Sequence, residues 1–258
     1  MIELYHAATS TCSQKVRLTL AEKGVAFVSR TVNLRANENL SPEYLALNPN
    51  GVVPTLVHDG NVILDSSVIC EYLDEVFPSP PLGPDNPVGR AHMRKWLRFL
   101  EEVPTAAIRV PTFQMALKPF EGVDQETFRN ERADIRPLRK HFYRKMGAKG
   151  FSDAEVEASL DGLDLTLRRM EEAFAKGPWL MGEQFSLADI VVVPTIDRLD
   201  DLGLAQMWGG YPGVTGWYAR IKARPSYAAA FYPGSRISDS GVTIQPLGGD
   251  IFQSSTRR

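Results

Sequence analysis

Five of the ten residues from Pro78 to Pro87 are proline, and the hydrophobic periodicity changes across them. Proline lacks a backbone N–H and fixes φ, so neither a helix interior nor a central strand runs through such a stretch. Before it, apolar and polar residues alternate in short runs. After it, those strand signals vanish and apolar residues recur at helical spacing. A chain of 258 residues has room for two modest domains. The expected layout is an α/β domain over residues 1–80, a proline-rich linker over 81–88, an all-helical domain over 89–232, and a mostly polar, loosely packed tail over 233–258.

Within the first domain, Ile2 to His6 alternates as a strand, and Val16, Leu20 and Lys23 place a helix over Ser13 to Lys23, closed by Gly24. Val25 to Leu34 alternates again. Ser41 and Pro42 suit the N-cap and first position of a short helix through Leu47. Thr55 to His58 and Asn61 to Leu64 are β-type runs around Asp59-Gly60, a dipeptide preferred in two-residue hairpin turns. Ser66 can cap a helix whose apolar stripe is Val68, Ile69, Tyr72, Leu73 and Val76, stopped at Phe77-Pro78. This order is that of the thioredoxin fold, a small mixed sheet with helices on both faces. The fold class predicted is an α/β thioredoxin-like N-terminal domain followed by an all-α C-terminal domain. In the latter, Met93, Trp96, Leu97 and Leu100 share a helical face, and Ser152/Glu155 and Ser186/Asp189 form capping boxes.

A net charge of −2 provides no field for a phosphate backbone, so nucleic acid is not expected as a partner. No apolar run approaches the ~20 residues of a membrane span, and the N-terminus has no signal-peptide pattern. Two cysteines, Cys12 and Cys70, cannot build a disulfide framework and read as small core residues of a reduced cytoplasmic protein. No Cys/His cluster has metal-site spacing, so no metal is expected.

Three local features carry chemistry. Thr9, Ser10, Thr11, Cys12 and Ser13 set hydroxyls between the first strand and the first helix. Unpaired N–H groups there favour an anion, and a hydroxyl donor beside them lowers the pKa of a thiol. Standing alone, such a cluster is most often a plain N-cap. Val52-Val53-Pro54 enters the hairpin; a cis Val53-Pro54 bond leaves the Val53 N–H and C=O to pair with an extended peptide. Asp65-Ser66 stands where the last strand meets the last helix of the domain. There it is either a cap or a trap for the α-carboxylate and α-ammonium of an amino acid.

With these features in this order, the chain resembles the cytosolic glutathione S-transferases over nearly its whole length, least between residues 103 and 150. The resemblance implies glutathione as co-substrate, a small hydrophobic or aromatic electrophile as partner, and a homodimer. It makes Val53, ahead of cis Pro54 and beside Val52, the backbone partner of the cysteinyl group. It makes Asp65 and Ser66 the γ-glutamyl clamp, with Asp65 where the family more often has Glu or Gln, and sets Asn39 at the glycyl end. Ser10-Thr11-Cys12-Ser13, followed by Val16-Arg17-Leu18, is similar to the zeta-class motif and makes Ser10 the thiolate's donor, although Gln14 stands in place of that class's Trp. Glu22-Lys23-Gly24, Ile69-Cys70-Glu71-Tyr72-Leu73 and the Arg-rich stretch from Arg136 to Gly150 resemble the bacterial β-aryl etherases instead, where Ser13 is the matching hydroxyl. Both serines are catalytic candidates. Ser13 is also the expected cap of the first helix.

Trp96, Phe113, Met115, Phe142 and Tyr143 are candidates for an apolar pocket, although aromatics and methionines at helical spacing are more often core. Arg136, Arg139, Lys140, Arg144 and Lys145 form either a solvated face or the mouth of a site for anionic or phenolic substrates. A non-catalytic glutathione-binding or protein-interaction module is the rival function. A thiol-disulfide enzyme comes third, because it needs Cys at position 10, and Cys12 is expected to point inward.

Overall fold

The computed structural model describes residues 1–117 and 123–248. Four strands, β1 (Ile2–His6), β2 (Val28–Thr31), β3 (Thr55–His58) and β4 (Asn61–Leu64), form one sheet in the order β2-β1-β3-β4. β1 and β2 run parallel, with Leu4 opposite Ser29, whereas β1–β3 and β3–β4 are antiparallel. Asp59 (φ 49°) and Gly60 (φ 83°) make the β3–β4 turn. Two consecutive positive φ values are what a type I′ hairpin requires.

The helices are α1 (Thr11–Lys23), α2 (Pro42–Leu47), α3 (Ser66–Val76), α4 (Pro87–Glu102), α5 (Pro104–Ala107), α6 (Arg109–Met115), α7 (Gln125–Phe128), α8 (Lys140–Met146), α9 (Asp153–Phe174), α10 (Leu187–Asp201), α11 (Pro212–Lys222) and α12 (Pro225–Ala230). The expected α/β-then-α order is present. α1 ends on Gly24 in the left-handed region, and both capping boxes form. One apolar core runs from Leu4, Val16 and Ile69 through Leu97 and Leu163 to Val191 and Trp217, because α1 packs on α3, α10 and α12 at once.

Several expectations are corrected. The second strand is only four residues long, and Ser29, Arg30 and Thr31 are exposed along the sheet edge. α4 begins at Pro87, two residues early, because Asn86 caps it by accepting from the Gly89 N–H. Asp65, not Ser66, is the N-cap of α3. The buried arc of α3 is Ile69, Cys70 and Leu73, while Val68 and Val76 face outward. The tail is not loose over its first part: Ser235 and Ile237 are buried, and the Gln245 N–H donates to the Met115 carbonyl at 2.8 Å. Residues 249–258 of the expected tail lie outside the described residues. Among the described residues, no helix is long and apolar enough to cross a membrane, and no cluster of His, Cys, Asp or Glu could hold a metal ion.

Candidate active site

β1 ends at a loop that two buried arginines hold from behind. Arg17, on the inner face of α1, donates to the carbonyls of Ala7 (3.2 Å) and Ala8 (2.8 Å), and Arg198 of α10 donates to that of Thr9 (2.5 Å). Burial lowers the pKa of each to about 10, so both stay charged at neutral pH. A guanidinium offers a fixed fork of donors and no acceptor, which suits it to fastening successive carbonyls. Arg17 also contacts His6 Nδ1 at 3.2 Å. Since arginine can only donate, Nδ1 accepts and the imidazole is neutral, with its Nε2–H directed at Ser29 Oγ, 2.8 Å away.

The loop delivers Ser10 as the N-cap of α1, its Oγ accepting from the Ser13 N–H at 3.3 Å. The expected assignment of that cap to Ser13 is therefore corrected. Ser13 is fully buried, and its Oγ instead accepts from the Ala7 N–H at 3.3 Å. Accepting a hydrogen bond leaves the Ser10 O–H free to donate.

Ser10 opens onto a cleft of about 190 Å³. Thr9, Thr11 and Cys12 line it from the same turn, so Cys12 does not point inward as expected; Asn39, Val52 and Val53 line it from the loops flanking α2. Asn39 donates to the Gly51 carbonyl at 2.7 Å. Gly51 has φ 59°, and a Cβ there would lie 2.9 Å from Leu40 Cδ2, so glycine is required where this loop doubles back. Tyr44 and Asn48 hold the Val52 carbonyl at 2.7 and 2.9 Å. The Val53–Pro54 bond is cis, and among the described residues neither the Val53 N–H nor its C=O has a hydrogen-bond partner.

Ser13, Pro54, Asp65 and Ser66 do not line this cleft. At the start of α3, Asp65 (φ 71°) accepts through Oδ1 from the Ser67 N–H (3.0 Å), the Ser67 hydroxyl (2.7 Å) and the Val68 N–H (3.3 Å). Burial opposes ionisation of this carboxyl, but the donors outweigh it and the pKa lies below the ordinary value. Ser66, at the first helical position, is buried.

The far wall comes from the helical domain. Phe113, Phe142 and Tyr143 pack edge to face, with centroids 5.1 to 5.7 Å apart, and line the cleft, the pocket alternative rather than the core one. Met115 belongs to the core. Trp96 lines a larger groove of about 780 Å³ beside His92, Phe99 and Arg169, which holds none of the candidate hydroxyls. The basic stretch divides: Arg136 and Arg139 line the cleft, while Lys140 and Arg144 pair with Asp134, and Lys145 with Glu155. Among the described residues, no histidine lines the cleft.

Sequence reasoning missed the loop clamps Arg17 and Arg198 and the cleft residue Arg109. The available signal was a charged residue beside apolar neighbours in a helix that must be buried, as with Lys15 next to Val16 and Arg17 between Val16 and Leu18.

The fold is shared with known proteins. Family models for the glutathione S-transferase N-terminal and C-terminal domains match residues 9–76 and 153–220. Protein LigF of Sphingobium sp. (strain NBRC 103272 / SYK-6) is 30% identical, covering 91% of this chain and 95% of that protein. The crystal structure of beta-etherase LigF from Sphingobium sp. strain SYK-6 superposes with a TM-score of 0.79 over 89% of this chain and 98% of that one. A stringent starvation protein A homolog of Pasteurella multocida (strain Pm70) is 28% identical over 88% of each chain. Glutathione S-transferase GstB of Escherichia coli (strain K12) is 27% identical, covering 88% of this chain and 95% of that one. The chain belongs to the glutathione S-transferase family, whose co-substrate is glutathione.

Proposed function

We propose that this transferase ionises the thiol of glutathione beside Ser10 and directs it at an electrophilic carbon of an aromatic ether. The observation that carries the reading is one cleft with the α1 N-terminus and the Ser10 hydroxyl on one side and Phe113, Phe142 and Tyr143 on the other. The similarity to the beta-etherase LigF favours ether cleavage over addition or dehalogenation. In this reading Val53 pairs through its backbone with the cysteinyl residue, and Asn39 and Val52 flank the glycyl side. Asp65 Oδ2, free of the capping bonds, meets the γ-glutamyl ammonium, and the Ser66 N–H meets its carboxylate. The thiol proton passes to water. The thiolate then displaces an aryloxide: a C–S bond forms, a C–O bond breaks, and its electron pair leaves with the phenol oxygen.

Incubation with glutathione and phenacyl phenyl ether tests this. The expected products are the phenacyl thioether of glutathione and phenol in equal amounts. Glutathione binding with no turnover of this ether, of chloro-nitro aromatics or of disulfides would instead establish the non-catalytic module. The same proposal includes a cytoplasmic homodimer with domain boundaries near residues 80 and 89. Val62, Val68 and Val76 offer exposed apolar surface on β4 and α3 for the partner, and a sedimenting species of 28.7 kDa at micromolar concentration would refute the dimer.

A further inference from the structure

Among the described residues, nineteen line the cleft; four of these are arginine and none is acidic. Arg198 has Asp201 for a partner at 3.5 Å. Arg109, Arg136 and Arg139 have no carboxylate within ion-pair distance among the described residues. Their sequence neighbours make the contrast, since Lys140, Arg144 and Lys145 each have one. Arg136 is otherwise engaged: it donates to Asn37 Oδ1 at 2.9 Å and lies 4.1 Å over the Tyr143 ring. Among the described residues, Arg109, at the start of α6, and Arg139, just before α8, have no such contacts, and both stand half-buried in the cleft wall. Burial first, and the charge of Arg109 second, hold the Arg139 pKa below its ordinary value, against the smaller opposing pull of Cys12, Glu101 and Tyr143.

Two like charges withdrawn from water without an ion-pair partner are costly; among the described residues the one carboxylate that acts on Arg139 is Glu101, and it is held by Lys15 rather than by the cleft arginines. Glutathione alone does not neutralise the wall. Its γ-glutamyl end is a zwitterion, and its thiolate and glycyl carboxylate belong beside Ser10 and on the Asn39 side, where Arg136 reaches through Asn37. One anionic group is left for the second substrate to supply. We propose that Arg109 and Arg139 form a subsite for a carboxylate carried by the aromatic electrophile. The substrate class is thereby aryl ethers of hydroxybenzoate type rather than neutral ones. This rests on the transferase reading above.

The test uses 4-(2-oxo-2-phenylethoxy)benzoate and its methyl ester. In both, the thiolate attacks the CH2 between carbonyl and ether oxygen, and the leaving group is 4-hydroxybenzoate or its ester. The expected result is a kcat/KM for the acid at least tenfold above that for the ester. Arg139→Met and Arg109→Met should each lower that ratio by roughly ten- to hundredfold, the worth of a charge-assisted hydrogen bond, with Arg139→Lys intermediate. Equal rates on acid and ester in the unaltered protein would overturn the proposal. So would arginine variants that raise the KM for glutathione tenfold and leave the ratio alone, because the pair would then serve the glycyl carboxylate. Should neither ether react, the transferase reading fails separately, and calorimetry of 4-methoxybenzoate against 4-methoxybenzamide on the glutathione-loaded protein decides the subsite. Benzoate binding that disappears in Arg139→Met supports it; equal binding of acid and amide overturns it.

Discussion

Ser10 has two duties that a single hydroxyl can carry together. Its oxygen accepts from the Ser13 N–H at the start of α1, and its proton remains to be given to a thiolate in the cleft. Ser10→Ala should therefore lower stability by the ~1 kcal/mol typical of a lost cap. It should also raise the pKa of bound glutathione, slowing turnover about ten- to hundredfold. Ser13→Ala strands the Ala7 N–H in the interior, costing about 1–3 kcal/mol with the thiolate titration unmoved. Ultraviolet absorbance of the bound thiolate against pH, in both variants, checks the pair; a shift in Ser13→Ala alone would reverse the assignment in favour of the etherase-like alignment. His6 supplies a pH dependence of stability. Burial, then the charge of Arg17, lowers its pKa from 6.5 to about 4, so between those values the unfolded chain binds the proton and the folded one does not. Stability is full above about pH 6.5 and falls as pH drops toward 4. Denaturant titrations at pH 4.5 and 7 should show His6→Gln losing part of that acid-side fall; an unchanged difference between the two pH values would refute the linkage.

At the scale of elements, what the sequence made legible was whatever local chemistry decides. Asp59-Gly60 fixed its hairpin and Gly24 its helix end, and both capping boxes formed, because each depends on a handful of neighbouring atoms. The α3 cap went instead to Asp65, whose carboxylate reaches two N–H groups and a hydroxyl where Ser66 would reach fewer. The outward valines of α3 and the short β2 were not legible, since packing against α1 selects which apolar arc is buried and an edge strand pairs on one side only. The division of the basic stretch was hidden for the same reason: Arg136 and Arg139 differ from Lys140 and Arg144 only in which way the fold turns them. Asp189 shows how much one box residue can come to hold. Beyond the Ser186 N–H (3.0 Å), it accepts from the Leu180 N–H and Trp217 Nε1, both at 3.0 Å, joining α10 to the preceding turn and to α11. Burial raises its pKa to about 6 against the pull of these donors. Asp189→Ala leaves several buried donors unmet at about 1–3 kcal/mol each. Thermal unfolding should fall by roughly 10 °C; a loss within 2 °C would mean that water replaces the carboxylate.

For the molecule as a whole, the tail and the catalytic loop are parts of one polar assembly. Arg236 faces three carboxylates, Asp200 at 3.0 Å, Asp197 at 3.4 Å and Asp201 at 3.8 Å. Asp201 in turn accepts from the N–H groups of Ile237 (2.7 Å) and Ser238 (3.1 Å) and pairs with Arg198. Arg198 reaches the Thr9 carbonyl, and Gln14 of α1 donates to the Ser235 carbonyl at 2.9 Å. A polar tail looked loose in sequence because its partners lie in α10, some forty residues earlier, and composition alone does not reveal them. Asp197 and Asp201 are almost fully buried, so removing the Arg236 cation leaves charges that water cannot reach. Arg236→Ala should destabilise by about 3–5 kcal/mol, near 10 °C in Tm, whereas Arg236→Lys, which keeps the charge, should lose less than half of that. Because Arg198 is then the one cation left paired with Asp201 among the described residues, the Thr9 carbonyl and with it the Ser10 turn should lose their fixed position, and glutathione affinity should fall in Arg236→Ala measured well below its Tm. Calorimetric unfolding together with a glutathione titration decides the matter. A Tm within 2 °C of the unaltered protein would refute the anchoring role, and a lowered Tm with unchanged affinity would confine Arg236 to folding and release the catalytic loop from its control.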